Sequence, residues 1–124
     1  MAILDLVPML TVPDVAATVA FYTETLGFQA ANQMEGWAVI ERDGVELMFA
    51  LPNEHIPFER PLLTGSLYLR TDSVDALWAD LKEKANVLYP MEDFSYGMRE
   101  FAILDNNGYC LQFGQPLEAA AEGA

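Results

Sequence analysis

Side chains that commonly carry chemistry are scarce in this chain of 124 residues. The only histidine, His55, lies in a proline-rich connection, where it is either a solvated loop residue or a loop ligand and pH-sensitive gate. The only cysteine, Cys110, has no histidine near it in sequence that could activate the thiol, so we interpret it as structural. The chain also lacks a glycine-rich phosphate loop and a dinucleotide-binding fingerprint. We therefore expect no nucleophilic or nucleotide chemistry.

Charge is the clearest compositional feature. The chain has 19 Asp and Glu against 6 Lys and Arg, for a formal net charge of −13. Such a field repels phosphate and attracts cationic small molecules, so we expect neither a nucleic acid nor a membrane partner. A single cysteine excludes an internal disulfide framework, and we expect a cytoplasmic location.

Hydrophobic periodicity predicts the elements that position these side chains. Val15, Val19 and Tyr22 mark one face of a helix that begins after Asp14, and a second helix follows Ser73. Residues 51–64 are a proline-rich connection, and residues 116–124 a flexible, frayed tail. Strands are predicted at residues 4–12, 28–32, 37–41, 45–49, 66–71, 87–89, 98–104 and 109–113.

The chain contains an internal repeat. Residues 37–49 (WAVIERDGVELMF) align without gaps with residues 101–113 (FAILDNNGYCLQF), which makes Trp37 and Phe101 equivalent. One copy alone cannot bury both faces of its small sheet. We therefore predict an α+β fold within a single domain, with two tandem βαβββ modules at about 4–50 and about 65–115. The modules form an open, cup-like curved sheet with the helices outside.

Residues 7–28 (VPMLTVPDVAATVAFYTETLGF), followed by residues 97–116 (GMREFAILDNNGYCLQFGQP), resemble the glyoxalase, bleomycin-resistance and extradiol-dioxygenase superfamily, also called vicinal oxygen chelate proteins. The resemblance covers the chain from Leu6 to Pro116. It implies paired βαβββ modules, a cup that binds the ligand, and a homodimer. In the enzymes of that family it also implies a divalent metal held by His, Glu or Gln.

The resemblance assigns the metal-ligand positions of those enzymes to four residues, of which Gln112 alone is a type that the family uses. Val7 cannot ligate, Met48 is a soft thioether and Ser66 is a weak ligand. Glu46 would replace Met48 only if the strand register shifted by two. We therefore expect no metal and no cofactor.

Strand alternation predicts which side chains face the cup. They fall into four rows: residues 7, 9 and 11; 66, 68 and 70; 46, 48 and 50; 110 and 112. The aromatic side chains near the openings are Trp37, Phe58, Phe94 and Tyr96. Trp37 either stacks on the ligand or belongs to the core, and Arg99 either reaches a ligand carboxylate or pairs with Glu100 or another acid. The candidate ligand-binding residues are Trp37, Glu46, Met48, Ser66, Tyr68, Arg99 and Gln112, and none is assigned a catalytic role.

Two functions remain open. The first is a binding protein resembling bleomycin-resistance proteins, which would sequester a bulky, aromatic ligand without chemistry and so support antibiotic resistance. The net charge of −13 favours a cationic ligand. The alternative is a metal-dependent, glyoxalase-like lyase or isomerase, or a ring-cleaving dioxygenase. We favour the first because the metal-ligand positions are mostly lost.

Overall fold

A computed structural model describes the backbone of residues 1–123 and the side chains of residues 1–120. The chain divides into two units, Met1–Pro61 and Leu62–Ala124. Each unit contains one four-stranded sheet. Among the described residues, no helix combines the length and the apolar character needed to cross a bilayer.

The first unit begins with a short strand and a capped helix. The Asp14 side chain accepts a hydrogen bond of 3.0 Å from the backbone N–H of Ala17, which caps the first turn. The helix is followed by Gly27 at φ +72°, a conformation that favours glycine. The strand order is β1-β4-β3-β2, with β1 parallel to β4 and the other pairs antiparallel. The elements are β1 (Met9–Thr11), α1 (Val15–Glu24), β2 (Gln29–Met34), β3 (Trp37–Arg42) and β4 (Val45–Ala50).

The helix α1 covers one face of the first sheet. Tyr22 of α1 and Phe49 of β4 are both fully buried, and their ring centroids lie 5.0 Å apart. Glu46, Met48 and Ala50 alternate with the buried residues of β4 and remain partly exposed. The other face of this sheet is therefore open within the unit.

The second unit repeats the topology of the first, with strand order β5-β8-β7-β6. Phe101 and Phe113 stack with centroids 5.2 Å apart, and Trp78 of the second helix lies 5.1 Å from Phe101. These contacts place the core between the sheet and that helix. The elements are β5 (Leu67–Arg70), α2 (Val74–Leu81), β6 (Asn86–Phe94), β7 (Met98–Leu104), β8 (Cys110–Pro116) and α3 (Leu117–Gly123).

The two matching strand orders confirm the predicted α+β fold of tandem βαβββ modules with open sheets. Three local features differ from the prediction. The first strand starts at Met9, after Pro8, which has no N–H for the ladder. Strand β6 continues through Pro90 to Phe94, because the pairing with β7 shifts register on both sides of that proline.

The third difference lies at the end of the chain, where a frayed tail was predicted from Pro116. The structure has a helix at Leu117–Gly123 instead, and Ala120 is buried. The backbone N–H of Leu117 donates a 3.0 Å hydrogen bond to the carbonyl of Gly97, which fixes the start of this segment. Its sequence, LEAAAEG, is rich in residues with high helix propensity.

The ungapped repeat is wrong by one residue on strands β3 and β7. Trp37 pairs with Ala50, whereas Glu100 pairs with Gly114, the residue 64 positions after Ala50. The structural equivalent of Trp37 is therefore Glu100 and not Phe101. The cause is the turn: Asp43 and Gly44 close the first hairpin, whereas Asp105 N–H donates to Tyr109 O (2.9 Å) around three turn residues, 106–108.

Candidate functional site

The open face of the second sheet, opposite α2, collects polar side chains from all four strands and from residues beside them. Tyr68 and Ala102 both pair with Gln112, and Glu100 pairs with Gly114, two residues further along β8, so these residues point to the same side. Tyr89 joins them through its pairing with Ala102, and Tyr96 precedes β7. We call the following six residues the carboxylate cluster: Ser66, Tyr68, Tyr89, Tyr96, Glu100 and Gln112.

Glu100 is the centre of the carboxylate cluster. It is only 1% exposed and accepts four hydrogen bonds. Its Oε1 accepts from the hydroxyls of Tyr68 (3.0 Å) and Tyr96 (2.6 Å). Its Oε2 accepts from the Tyr89 hydroxyl and from Gln112 Nε2 (3.2 Å). A buried carboxylate is tolerated only where such donors replace water, and here all four come from side chains.

Gln112 connects the carboxylate to the edge of the cluster. Its Nε2 also donates a 2.8 Å hydrogen bond to the Tyr89 hydroxyl oxygen, and its Oε1 accepts from the Ser66 hydroxyl. The opposite amide orientation would point the carbonyl oxygen at the Glu100 carboxylate, where two acceptors would repel. The Nε2 of Gln112 is therefore directed into the cluster.

Gly114 makes room for Tyr68. A Cβ added at Gly114 would lie 2.7 Å from Tyr68 Cζ and closer still to its hydroxyl oxygen. Any larger residue would push the ring away from Glu100. The glycine therefore matters here for space, because it lets the phenol lie across the strand.

The cluster controls the ionisation of its members. Burial raises the pKa of the Glu100 carboxyl, but hydrogen bonds from Tyr89, Tyr96, Tyr68 and Gln112 outweigh burial and hold the pKa below its ordinary value. Burial and the hydrogen bond to Glu100 raise the pKa of Tyr68 to about 12. The bond to Glu100, followed by burial, raises the pKa of Tyr96 to about 12. Near neutral pH the carboxylate is charged and the phenols are protonated.

Aromatic rings surround the charge. Phe94 stacks on Tyr96 with centroids 5.5 Å apart, and meets Tyr89 edge-on at 5.7 Å. Tyr68 is 42% exposed and Tyr96 is 63% exposed. Partly exposed tyrosine side chains therefore lie around a buried negative charge, which suits contact with a cation or a planar group.

Among the predicted site residues, the structure brings Ser66, Tyr68 and Gln112 together in the carboxylate cluster. It does not bring Arg99 to them. Arg99 Nε lies 2.7 Å from an oxygen of Asp93, and its Nη1 lies 3.1 Å from an oxygen of Asp75 on α2. Pairing with acids, one of the two interpretations of Arg99, is the arrangement that the structure shows.

The remaining predicted residues lie on the open face of the first sheet. Trp37 pairs with Ala50, and Met48 pairs with both Met9 and Val39. Glu46 lies opposite Glu41, two residues from Met48 on the same side of β4, as alternation predicted. Trp37, Glu46 and Met48 are all partly exposed. This face is mainly apolar, with a pair of acids at one end.

Neither His55 nor Cys110 belongs to the carboxylate cluster. The His55 side chain is 83% exposed and lies 3.5 Å from Glu54, as a solvated loop histidine would. Cys110 is half-buried, and burial raises the pKa of its thiol, which disfavours the reactive thiolate.

Sequence reasoning missed Glu100 and Tyr89 as site residues, and it treated Glu100 only as a partner for Arg99. The missing signal was the length of the β7–β8 turn. With three turn residues instead of two, alternation along β7 puts Glu100 and Ala102 on the same face as Gln112. The sequence indicates the orientation of Tyr89 less clearly, because the pairing of β6 with β7 shifts register on either side of this residue.

A sequence model of the Glyoxalase/Bleomycin resistance protein/Dioxygenase superfamily matches residues 5–113. The chain belongs to this superfamily. Its relatives include the bleomycin resistance protein of Geobacillus stearothermophilus, 24% identical over 132 aligned residues that cover 94% of this chain and 99% of that protein. A bleomycin resistance protein of Staphylococcus aureus matches equally well.

Solved structures with the same fold include a bleomycin-binding protein from Streptomyces verticillus complexed with copper(II)-bleomycin. It has a TM-score of 0.71 and 27% identity, over 91% of this chain and 96% of that chain. TioX from Micromonospora sp. ML1 has a TM-score of 0.72 at 20% identity, over 90% of this chain and 98% of that chain.

The residues of this chain do not fit the metal that some members of the superfamily use. Val7 and Met48 offer no hard donor at two of the four positions that the resemblance assigns. At the other two, Ser66 and Gln112 are hydrogen bonded to each other. Across the described side chains, no group of three or more His, Cys, Asp and Glu could hold a metal ion.

Proposed function

We propose that this protein binds and sequesters a bulky, cationic, aromatic small molecule of the bleomycin kind, without metal chemistry. The observation that carries the proposal is the carboxylate cluster, where a buried carboxylate lies beneath partly exposed tyrosine rings. Relatives and fold neighbours named for bleomycin resistance or bleomycin binding support the same ligand class.

The open face of the first sheet supports a large ligand. Trp37 and Met48 are partly exposed there, and Met9 is 60% exposed. Methionine side chains adapt to varied shapes, and an indole can stack on planar groups. They would supply apolar contact to a ligand on this face, and Glu46 would supply a negative charge at its end.

The net charge of −13 supports capture of a cation. A field of this sign accelerates encounter with positive ligands, and salt screens it within about 10 Å at 0.1 M. The association rate for such a ligand should therefore fall as ionic strength rises.

The metal-dependent lyase, isomerase or dioxygenase has only the shared fold in its favour, and a fold shared by many chemistries does not assign one. Protein purified and dialysed should carry less than about 0.2 equivalents of Fe, Mn, Ni, Co or Zn if the metal-free proposal is right. Stoichiometric metal together with turnover would favour the enzyme.

A homodimer and a cytoplasmic location remain predictions. The homodimer is supported by exposed apolar side chains before β1, where Ile3, Leu4 and Leu6 are 95%, 91% and 85% exposed. Such a run on a soluble surface usually marks a contact with another chain. The location rests on the single cysteine and on the absence of a disulfide framework.

The proposed function is tested by titrating metal-free bleomycin into the protein and following tryptophan fluorescence. We expect saturable quenching, because Trp37 lies on the open face of the first sheet, whereas Trp78 lies on α2 and packs on Phe101. Trp37→Phe should remove most of the quenching and weaken binding, with the fold unchanged by circular dichroism. A flat titration, confirmed by calorimetry, would refute the bleomycin-type ligand.

A further inference from the structure

We propose that the carboxylate cluster selects a ligand group that carries both positive charge and N–H bonds, such as a protonated amine, an amidinium or a guanidinium. The inference rests on the proposed binding function and names the ligand chemistry at one part of the site. It follows from the direction of every hydrogen bond in the cluster.

The hydroxyl hydrogens of the cluster all point inward. Tyr68, Tyr89 and Tyr96 each have one hydroxyl hydrogen and donate it to Glu100. Ser66 donates its hydrogen to Gln112 Oε1. Hydroxyl groups carry a single hydrogen, so none of these four has another to offer a ligand.

The amide of Gln112 is used in the same way. Its Nε2 donates to Glu100 Oε2 at 3.2 Å and to the Tyr89 hydroxyl oxygen at 2.8 Å. The carboxylate has no hydrogen near neutral pH, because its hydrogen bonds hold its pKa below the ordinary value. The hydroxyl groups and the carboxylate of the cluster therefore offer a ligand only acceptors.

The acceptors on the partly exposed residues of the cluster are hydroxyl oxygens. Tyr68 is 42% and Tyr96 is 63% exposed, and each phenol oxygen keeps lone pairs after donating its hydrogen to Glu100. A phosphate or carboxylate group would find no hydrogen there and would face a buried negative charge. A group with N–H bonds finds both acceptors and opposite charge.

The charge of Glu100 is not neutralised by an ion pair. In the part of the chain whose side chains are described, no Lys, Arg or His nitrogen lies within 4.0 Å of its carboxylate. Arg70 shares the open face, since it pairs with Gly114, and its charge acts to lower the pKa of Tyr68, but its side chain is exposed and is not one of the ion-pair partners of Glu100. A ligand cation over the phenol rings would therefore supply the missing positive charge.

Two other cations fit the cluster less well. A quaternary ammonium would contact the rings through cation–π attraction but could not use the hydroxyl acceptors. A metal ion would need the oxygens of Glu100, each of which already accepts two hydrogen bonds. Only a cation with N–H bonds uses the surface as it stands.

The test compares three probes that share one ring: phenethylammonium, its N,N,N-trimethyl derivative and its neutral N-acetyl derivative. Binding is followed by NMR of the full chain, through the side-chain amide of Gln112. We expect phenethylammonium to bind at least tenfold more tightly than either derivative. Equal affinity of the two cations would overturn the role of the N–H bonds, and absence of binding by all three would overturn the site.

Two variants test whether the hydroxyl groups of the cluster cause the preference. Tyr96→Phe keeps the ring and removes one hydroxyl acceptor, so the preference for phenethylammonium over the trimethyl probe should shrink several-fold. Glu83→Gln removes one negative charge at an exposed position outside the cluster and should leave the preference unchanged. If Tyr96→Phe leaves the preference intact, the proposal is wrong.

The result separates this inference from the proposed function. If bleomycin binds but the probes show no N–H preference, only the inference fails. If the probes show the preference but bleomycin does not bind, the cluster keeps its assigned chemistry and the bleomycin-type ligand is refuted.

Discussion

Glu100 is a charged residue with 1% of its surface exposed, in a chain that already carries a net charge of −13. Burying a carboxylate costs several kcal/mol unless donors replace its water. Three phenols and one amide supply those donors. The arrangement keeps the charge below the surface and puts the rings of Tyr68 and Tyr96 between it and solvent.

Replacing Glu100 by Gln tests the energetic side of this arrangement. Gln keeps the size but brings two hydrogens to a position where Glu100 accepts four hydrogen bonds. We expect Glu100→Gln to lower the free energy of unfolding by about 2 kcal/mol, the range for hydrogen bonds to a charged group. Urea denaturation measures the change, with Glu83→Gln as the matched control. An unchanged midpoint would show that the hydrogen bonds contribute nothing net.

The phenols predict how stability changes at high pH. The phenol pKa of Tyr68 and Tyr96 is 10.0 in the unfolded chain and about 12 in the folded protein. Their contribution is therefore complete below pH 10 and is lost as the pH rises through about 12. Urea midpoints should fall over that window, and less steeply in a Tyr68→Phe, Tyr96→Phe double variant. Parallel curves for the two proteins would contradict the raised pKa values.

At the scale of elements, the β7–β8 hairpin decides which residues form the site. Its turn has one residue more than that of the β3–β4 hairpin, so Glu100 occupies the position that Trp37 has in the first unit. Periodicity located the core of both helices and most strands, because alternation and capping are local signals. It could not fix this register, because one extra turn residue leaves the apolar pattern of the strand intact.

Gly114 of strand β8 links the backbone to the cluster. Gly114→Ala places a methyl group where the Tyr68 ring lies, so Tyr68 must rotate away from Glu100. We expect a loss of about 1 kcal/mol in stability, the value of one hydrogen bond, and weaker ligand binding. Gly65→Ala is the control, since nothing lies within 4 Å of its added Cβ. Equal behaviour of the two variants in denaturation and titration would contradict this role of Gly114.

At the scale of the whole molecule, two units with the same topology present different open faces. The first carries Trp37 and Met48, and the second carries Glu100 and Gln112 at the structurally equivalent positions. The tandem modules and the family could be predicted from the sequence, because the repeat and two motifs span most of the chain. The cluster could be predicted only in part: alternation pointed to Tyr68 and Gln112, whereas Glu100 and Tyr89 depend on a register that only the folded sheet defines.

The proposed homodimer belongs to this scale. Sedimentation should report about twice the chain mass of 13.8 kDa. Deletion of residues 1–6, whose apolar side chains are exposed, should shift the protein toward the monomer, because those contacts would be lost. A monomer at all concentrations of the intact chain would refute the homodimer.

The central claim is that the buried carboxylate of Glu100 supplies the charge that holds a cationic ligand. Calorimetric titration of metal-free bleomycin into the wild-type protein, Glu100→Gln and Glu83→Gln tests it most directly, with folding of each protein verified by circular dichroism. We predict binding at least tenfold weaker in Glu100→Gln, equivalent to about 1.4 kcal/mol, and unchanged in Glu83→Gln. Equal affinity for the folded Glu100→Gln variant and the wild-type protein would contradict the claim.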